Sequence, residues 1–205
     1  MTSEATEGDI SLCGSNRVAD TINRSHLNRL PGPERSYLGK GSAKKKSDRD
    51  LPSPEELRLE VGAQVIFTRK GGGYVNGDIG HVVAWRPHEV PIRIQGCDRV
   101  MSVGHACCEE REMLWNAVNR CIERVLVDSC EHPRLAWALT LHRSQCQTLE
   151  RVHLALGPGT GSTFFERGHA DVALSRYRSL SSVTTSRPVW VNNIRIHEDL
   201  RDDWA

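Results

Sequence analysis

The run LAWALTLHRSQCQTLERVHLAL, Leu135–Leu156, constrains this chain more than any other segment. Its first part alternates bulky Leu135, Trp137, Leu139 and Leu141 with small Ala136, Ala138 and Thr140, the pattern of a buried strand with one closely approached face. The apolar stretch then gives way to Thr140, His142, Arg143, Ser144 and Gln145, a cluster of hydroxyl, imidazole, guanidinium and amide groups. Arg143–Leu149 suits one helical turn, and Val152–Leu156 suits the next strand. Past the loop Gly157–Gly161, Phe164–Leu174 reads as a helix whose C-terminal end carries Ser175, Arg176 and Arg178. Polar groups at a strand end beside an arginine pair suit the handling of phosphate, on a nucleic-acid backbone or on a nucleotide.

Bulk composition does not announce such a partner. The 205 residues carry a formal net charge of only +1, so local patches, not a global field, would have to guide a polyanion. Charge is uneven: Glu4, Glu7 and Asp9 make the start acidic, and Glu198, Asp199, Asp202 and Asp203 the end, whereas Lys40–Lys46 and the arginines from Arg134 to Arg178 are basic. No stretch approaches the roughly 20 apolar residues of a membrane span. The N-terminus lacks the basic-then-apolar pattern of a secretory signal. Seven cysteines without such a signal point to reduced thiols in the cytoplasm, or in a nucleus or organelle if the source is eukaryotic.

The rest of the chain organises around two patterns. ISLC near Asp9–Ser15 reads as a strand, and Ser15 or Asn16 can cap a helix reaching about Leu30 with Val18, Ile22, Leu27 and Leu30 on one face. Lys40–Pro54, rich in Lys, Ser, Asp and Pro, reads as linker. Gly39-Lys40-Gly41-Ser42 within it is no phosphate loop, because the GxxxxGK spacing between a strand and a helix is missing. From Leu57 the period becomes two: Leu57, Leu59 and Val61 alternate, Val65–Phe67 is apolar, Asn76-Gly77 signals a turn, and Ile79–Trp85 and Pro91–Ile94 follow. Residues 57–104 therefore suggest a small antiparallel barrel or sheet. Glu109–Val127 suggests an amphipathic helix, with Leu114, Ala117, Val118, Cys121, Ile122 and Val125 at three- and four-residue spacings.

On these residues the chain resembles the C-terminal half of a superfamily-1 helicase of the RecD type. The fifth motif of that branch reads approximately LAWAxTxHKSQGxTLxRV, against LAWALTLHRSQCQTLERV at Leu135–Val152. The sixth reads approximately GQAYVALSRxRSL, against GHADVALSRYRSL at Gly168–Leu180. Gly14–Asn23 resembles the fourth motif, and Leu59–Arg69 with Val75–Gly80 resembles the branch's SH3-like insertion. The resemblance implies an α/β chain: a RecA-like parallel-sheet domain of the P-loop NTPase fold, the second motor half, with a small SH3-like β-barrel inserted. Its layout would be RecA-like at 1–39, linker at 40–56, SH3-like insertion at 57–104, connecting helix at 105–133, RecA-like again at 134–196 and an acidic tail at 197–205.

The resemblance also implies roles. Arg176 would be the arginine finger, a fixed cation at the γ-phosphate, with Arg178, Gln145, Asn16 and Arg17 at the same nucleotide interface. Thr140, His142, Arg143, Ser144 and Thr148 would meet single-stranded DNA. Asn16 and Arg17 fit helix capping as well as a nucleotide cleft. ATP and Mg²⁺ are expected only together with a first motor domain, which carries the phosphate loop and which a separate N-terminal helicase half could supply. By itself the polypeptide is expected to be inert as an ATPase. The sequence departs from the family pattern at Cys146 (glycine), Arg143 (lysine), His169 (glutamine) and Asp171 (tyrosine).

Two other readings compete. One is a non-enzymatic nucleic-acid-binding module derived from a helicase. The other is a metal protein using His105, Cys107, Cys108, Cys121, Cys130 and His132. No C-x-x-C pair supports the second, and buried free thiols account better for these cysteines, so no metal site is expected.

Overall fold

The computed structural model describes residues 5–6, 8–38, 56–68, 70–71, 73–86, 89–97, 99–104, 106–116, 121–131, 133–145, 147–156 and 168–189, those at 37–38, 106–116 and 121–131 as backbone. The chain divides into two units, Met1–Arg29 with Ala136–Ala205, and Leu30–Leu135. In the first unit, β1 (Ile10–Cys13) is the buried segment ISLC. It leads into α1 (Asn16–Leu27), capped by Ser15, whose Oγ accepts from the Val18 amide at 3.5 Å. That bond satisfies one amide that a helix start leaves open. The helix buries Ala19, Asn23 and Leu27, one stripe at four-residue spacing. Val18, expected on the packing face, is 37% exposed, and the helix stops before Leu30.

The second unit is antiparallel throughout. β2 (Arg35–Leu38) pairs with β3 (Glu56–Leu59), which buries Leu57 and Leu59 and exposes Glu56 and Arg58. Arg35–Leu38 thus belong with this unit, although residues up to 39 were expected in the α/β domain, and Glu56 is strand, not linker. The remaining linker residues, 40–55, lie outside the described residues. β4 (Gln64–Ile66), β5 (Ile79–Val82), β6 (Glu89–Ile94) and β7 (Val100–Gly104) form a meander around Val65, Ile66, Phe67, Val82, Ile92 and Val103. Asn76-Gly77 does turn the chain, with Gly77 at φ +96°, inside the connection from β4 to β5. Gly80 is required by close approach: a Cβ there would lie 2.5 Å from Ile92 Cγ2 and 2.7 Å from the Arg93 carbonyl oxygen.

The helix expected over Glu109–Val127 is not formed. β8 (Ala106–Asn116) and β9 (Cys121–Glu131) pair antiparallel instead, in register from Ala106↔Glu131 to Asn116↔Cys121. The helical spacing is real, but Trp115, Ile122, Val125 and Val127 are also strong strand formers, and a long ladder satisfies the backbone as fully as a helix would. Here pairing between distant residues overrides a local period.

The run from Leu135 to Leu141 is likewise not one strand. β10 (Arg134–Leu135) pairs antiparallel with β4 and completes the sheet order β10-β4-β5-β6-β7. Past Ala136 and Trp137, β11 (Ala138–Thr140) enters the other unit. A 3₁₀ turn at His142–Ser144 follows, then β12 (Val152–Leu154), α2 (His169–Leu174), a second 3₁₀ turn at Leu180–Ser182 and β13 (Val183–Thr185). Residues 157–167, including the start of the expected Phe164–Leu174 helix, lie outside the described residues. The sheet of this unit has the order β11-β1-β12-β13, and every pair in it is parallel. Ile10, Leu12, Leu139, Val152 and Leu154 are all at most 5% exposed, as strands of a covered parallel sheet must be. The expected α/β class with a parallel sheet is what forms.

Candidate nucleic-acid and nucleotide interface

Parallel strands place all their C-terminal ends along one edge, where open α/β sheets bind ligands. On that edge β1 delivers Asn16 and Arg17, both exposed, at the start of α1, and β11 delivers the turn that begins at Leu141. The Leu141 amide donates to the Cys13 carbonyl at 3.0 Å, so the turn starts directly beside the end of β1.

The turn is built from the inside. Thr140 is buried, and Ser144 is 0% exposed with its Oγ donating to the Leu141 carbonyl at 2.8 Å. Backbone bonds from Ser144 N–H to Leu141 O (3.2 Å) and from Gln147 N–H to Ser144 O (3.1 Å) close it. The hydroxyls of Thr140 and Ser144, expected at the DNA, therefore lie inside the protein in this conformation. His142, Gln145 and Thr148 are exposed and Arg143 is half-buried. Cys146, at the expected glycine position, lies outside the described residues.

The second motif closes on this turn. The Leu149 amide donates to the Arg176 carbonyl at 2.7 Å. In return, the half-buried Arg176 guanidinium reaches the carbonyls of Ser144 and Gln147 from Nη1, each at 3.3 Å. Its Nε donates to the Val172 carbonyl at 3.1 Å, and Nη2 to Ser175 Oγ at 2.8 Å. A second contact joins His142 to His169, their Nε2 atoms 3.5 Å apart and their rings edge to face. His169 is 5% exposed at the start of α2, next to Gly168 at φ +80°. Arg178 is exposed, as is Asp171 in the first turn of α2.

Sequence reasoning missed two residues here. Asn23, a polar residue on the buried stripe of α1, donates from Nδ2 to the Ala138 carbonyl at 2.9 Å and accepts from the Ala138 amide on Oδ1 at 2.8 Å. The only clue was its spacing from Ala19 and Leu27. Gln147 is 8% exposed, and its Oε1 has no hydrogen-bond partner among the described residues. No residue-type rule marks it.

Two ionisable groups deep in the sheet are shifted. Burial pushes the Cys13 thiol up to about 12, so it stays protonated at the end of β1. Burial lowers the pKa of His153, against the opposing pull of the Asp9 carboxylate, while its Nδ1 lies 3.0 Å from Thr184 Oγ1 on β13. Among the described residues no group of three His, Cys, Asp or Glu is placed to hold a metal ion. No helix among them is long and apolar enough to cross a membrane.

Known proteins resemble this chain in sequence and in fold. No protein-family model matches the chain. The ATP-dependent DNA helicase PIF1 of Danio rerio is 32% identical over 179 residues, covering 84% of this chain but 26% of that protein. Unliganded Pif1 from Bacteroides sp superposes with a TM-score of 0.78 at 24% identity, covering 96% of this chain and 45% of that one. The Bacteroides Pif1 helicase in complex with ADP-AlF3 and ssDNA gives a TM-score of 0.72 at 24% identity, over 99% of this chain and 46% of that one. The chain spans about a quarter of the Danio rerio protein and somewhat under half of the two Bacteroides chains. Over 84% of its residues the chain is thus similar to part of the ATP-dependent DNA helicase PIF1, and it shares the RecA-like fold of the Pif1 structures.

Proposed function

We propose that this chain is the C-terminal motor half of an ATP-dependent DNA helicase of the RecD-type branch, one that moves 5′ to 3′ along a single strand. The observation that carries the reading is the joining of two phosphate-suited segments on one sheet edge, with the Leu149 amide bonded to the Arg176 carbonyl. A solved relative of this fold is described in complex with ADP-AlF3 and ssDNA, the two ligand classes such an edge suits. On this reading His142, Arg143 and Thr148 contact the DNA backbone, while buried Thr140 and Ser144 serve the same contact by shaping the turn. Arg176 is the arginine finger, and Arg178, Asn16, Arg17 and Gln145 complete the nucleotide side. Residues 57–104, within the antiparallel second unit, are the SH3-like insertion.

ATP fits this edge in part. Guanidinium groups suit a triphosphate; on this reading, as the resemblance implies, Mg²⁺ and the phosphate cradle belong to a first motor domain, in the same protein or in a separate N-terminal half. Bound there, ATP would supply the free energy for movement. This chain's own residues hold the strand and place a cation at the γ-phosphate.

The test is fluorescence anisotropy with a labelled oligothymidylate. Binding should weaken steeply with salt, and Arg143→Ala should reduce the slope of log K against log salt by about 1. ATP turnover should appear only when a PIF1-type first motor domain is added, and Arg176→Ala should abolish it. An absence of binding at low salt, or binding indifferent to salt, would sink the proposal.

A further inference from the structure

We infer that Arg176 has a second task besides the finger role, as the positioning residue that locks the DNA-contacting turn while no phosphate is in reach. The inference rests on the helicase reading for what the turn holds, but not for the lock itself. The guanidinium has five N–H donors in a rigid fork. Four are engaged: Nε on the Val172 carbonyl, both of Nη1 on the Ser144 and Gln147 carbonyls, and one of Nη2 on Ser175 Oγ. Val172 and Ser175 belong to the α2 end, Ser144 and Gln147 to the turn, so one side chain fastens the two segments together.

The donor count has a consequence. A guanidinium grips a phosphate best with two parallel N–H groups along one edge of the fork. Only one N–H of Nη2 is uncommitted, and both edges that include Nη2 also use a group already bonded to a backbone carbonyl or to Ser175 Oγ. Bidentate phosphate binding must therefore break at least one of these bonds. Engaging through Nη1 and Nη2 frees the Ser144 or the Gln147 carbonyl and gives up part of the turn's tie, whereas engaging through Nε and Nη2 frees the Val172 carbonyl or Ser175 Oγ and leaves both turn carbonyls held. The orphaned Oε1 of buried Gln147 sits in the same turn, a buried acceptor to which nothing among the described residues donates. The locked turn is thus not its best-satisfied arrangement, and a rearranged one has a donor to gain. Where a phosphate takes the Nη1–Nη2 edge, the finger and the lock compete for the same N–H groups, so phosphate on one side changes the hold on DNA on the other.

Hydrogen exchange at the amides of Ser144, Gln147 and Leu149 reads the lock directly, since all three are bonded within or onto it. It requires no DNA, so failure of oligonucleotide binding would sink the proposed function and leave this inference standing, and the reverse holds too. Arg176→Ala should speed exchange at these amides by about tenfold, the effect of roughly one net hydrogen bond, relative to Leu12 and Leu154 in the sheet. Arg176→Lys keeps the charge but not the fork and should behave like alanine. Exposed Arg24→Ala, with the same charge change, should do nothing. Unchanged exchange in Arg176→Ala, or full rescue by lysine, overturns the inference. If Arg176→Ala loosens Leu12 and Leu154 equally, the wild-type chain decides. Inorganic tripolyphosphate, against sodium chloride of equal ionic strength, should then accelerate the three turn amides selectively; no selective acceleration also overturns it.

Discussion

Replacing Asn23 by alanine tests the account of how the site's leading strand is held. β11 is an edge strand, bonded on one side to β1, with Ser11 N–H donating to the Trp137 carbonyl and Leu141 N–H to the Cys13 carbonyl. The amide and carbonyl of Ala138 therefore face away from the sheet, yet Ala138 is 1% exposed. The Asn23 side chain meets both, as the peptide of a further strand would. Truncation removes two hydrogen bonds and strands a buried donor and a buried acceptor, at about 1–3 kcal/mol each. Alanine returns about 0.5 kcal/mol through its better helix propensity. The net expected loss is about 2–5 kcal/mol, a large share of the 5–15 kcal/mol that holds a typical domain. Because the chain has two units, one melting curve would mix them. Urea-dependent hydrogen exchange of the β1 and β12 amides isolates the right one. Asn23→Asp, which loses the donor and buries a charge, should lose at least as much, and exposed Asp20→Ala less than about 0.5 kcal/mol. A loss below about 1 kcal/mol for Asn23→Ala would refute the edge-capping argument.

Three further outcomes follow from the same geometry. Gly80→Ala should cost the second unit about 1–3 kcal/mol by forcing a Cβ against Ile92 and the Arg93 carbonyl, whereas Gly96→Ala, with open space and φ +80°, should cost only about 1 kcal/mol; equal losses in urea titrations would count against the close-approach reading. Because the native pKa of His153 lies below its ordinary 6.5, the unfolded chain takes up a proton that the native sheet refuses. Stability should be full above that value and decline as pH falls from it towards the lower native pKa, with His26 contributing in the same direction. His153→Gln should flatten part of this decline in unfolding titrations, and an unchanged slope would exclude the residue. Cys13, buried with its thiol pushed up to about 12, should label with a thiol reagent only on unfolding, while exposed Cys97 labels at once; peptide mass spectrometry on the native chain distinguishes them.

What could be read without coordinates was the local and the strongly patterned. The apolar tetrad of β1, the Ser15 cap and the alternating Leu57 and Leu59 each follow from a few neighbouring residues, and each formed as expected. Failures occurred where distant partners decide. The β8–β9 segment satisfied a helical template, but its two halves pair with each other along eleven positions, a ladder that no window of helical length can reveal. Leu135 and Ala138 belong to one apolar run in the sequence but to different sheets, because β4 claims Arg134 and Leu135 while β1 claims Ala138–Thr140. Asn23 lay outside the expected face of Val18, Ile22, Leu27 and Leu30, and only the position of Ala138, 115 residues away, makes it a cap.

The site repeats this division at finer scale. Residue type and motif picked out Arg176 as a cation for phosphate, and nothing in the alternation of ALSRYR said that its fork would be occupied by carbonyls from the preceding motif. Those carbonyls are turned towards it because Ser144 is buried and bonds back to Leu141, which is bonded in turn to the end of β1. The hydroxyl expected at the DNA thus serves by aiming a backbone oxygen. Two motifs separated by fifteen residues of sequence are therefore one hydrogen-bonded object, and a change at either should be felt at the other. Arg143→Ala removes a half-buried cation whose side chain has no hydrogen bond to that network among the described residues, and should weaken DNA binding alone. Ser144→Ala, by contrast, should loosen the turn's amides as Arg176→Ala does, although it removes no charge.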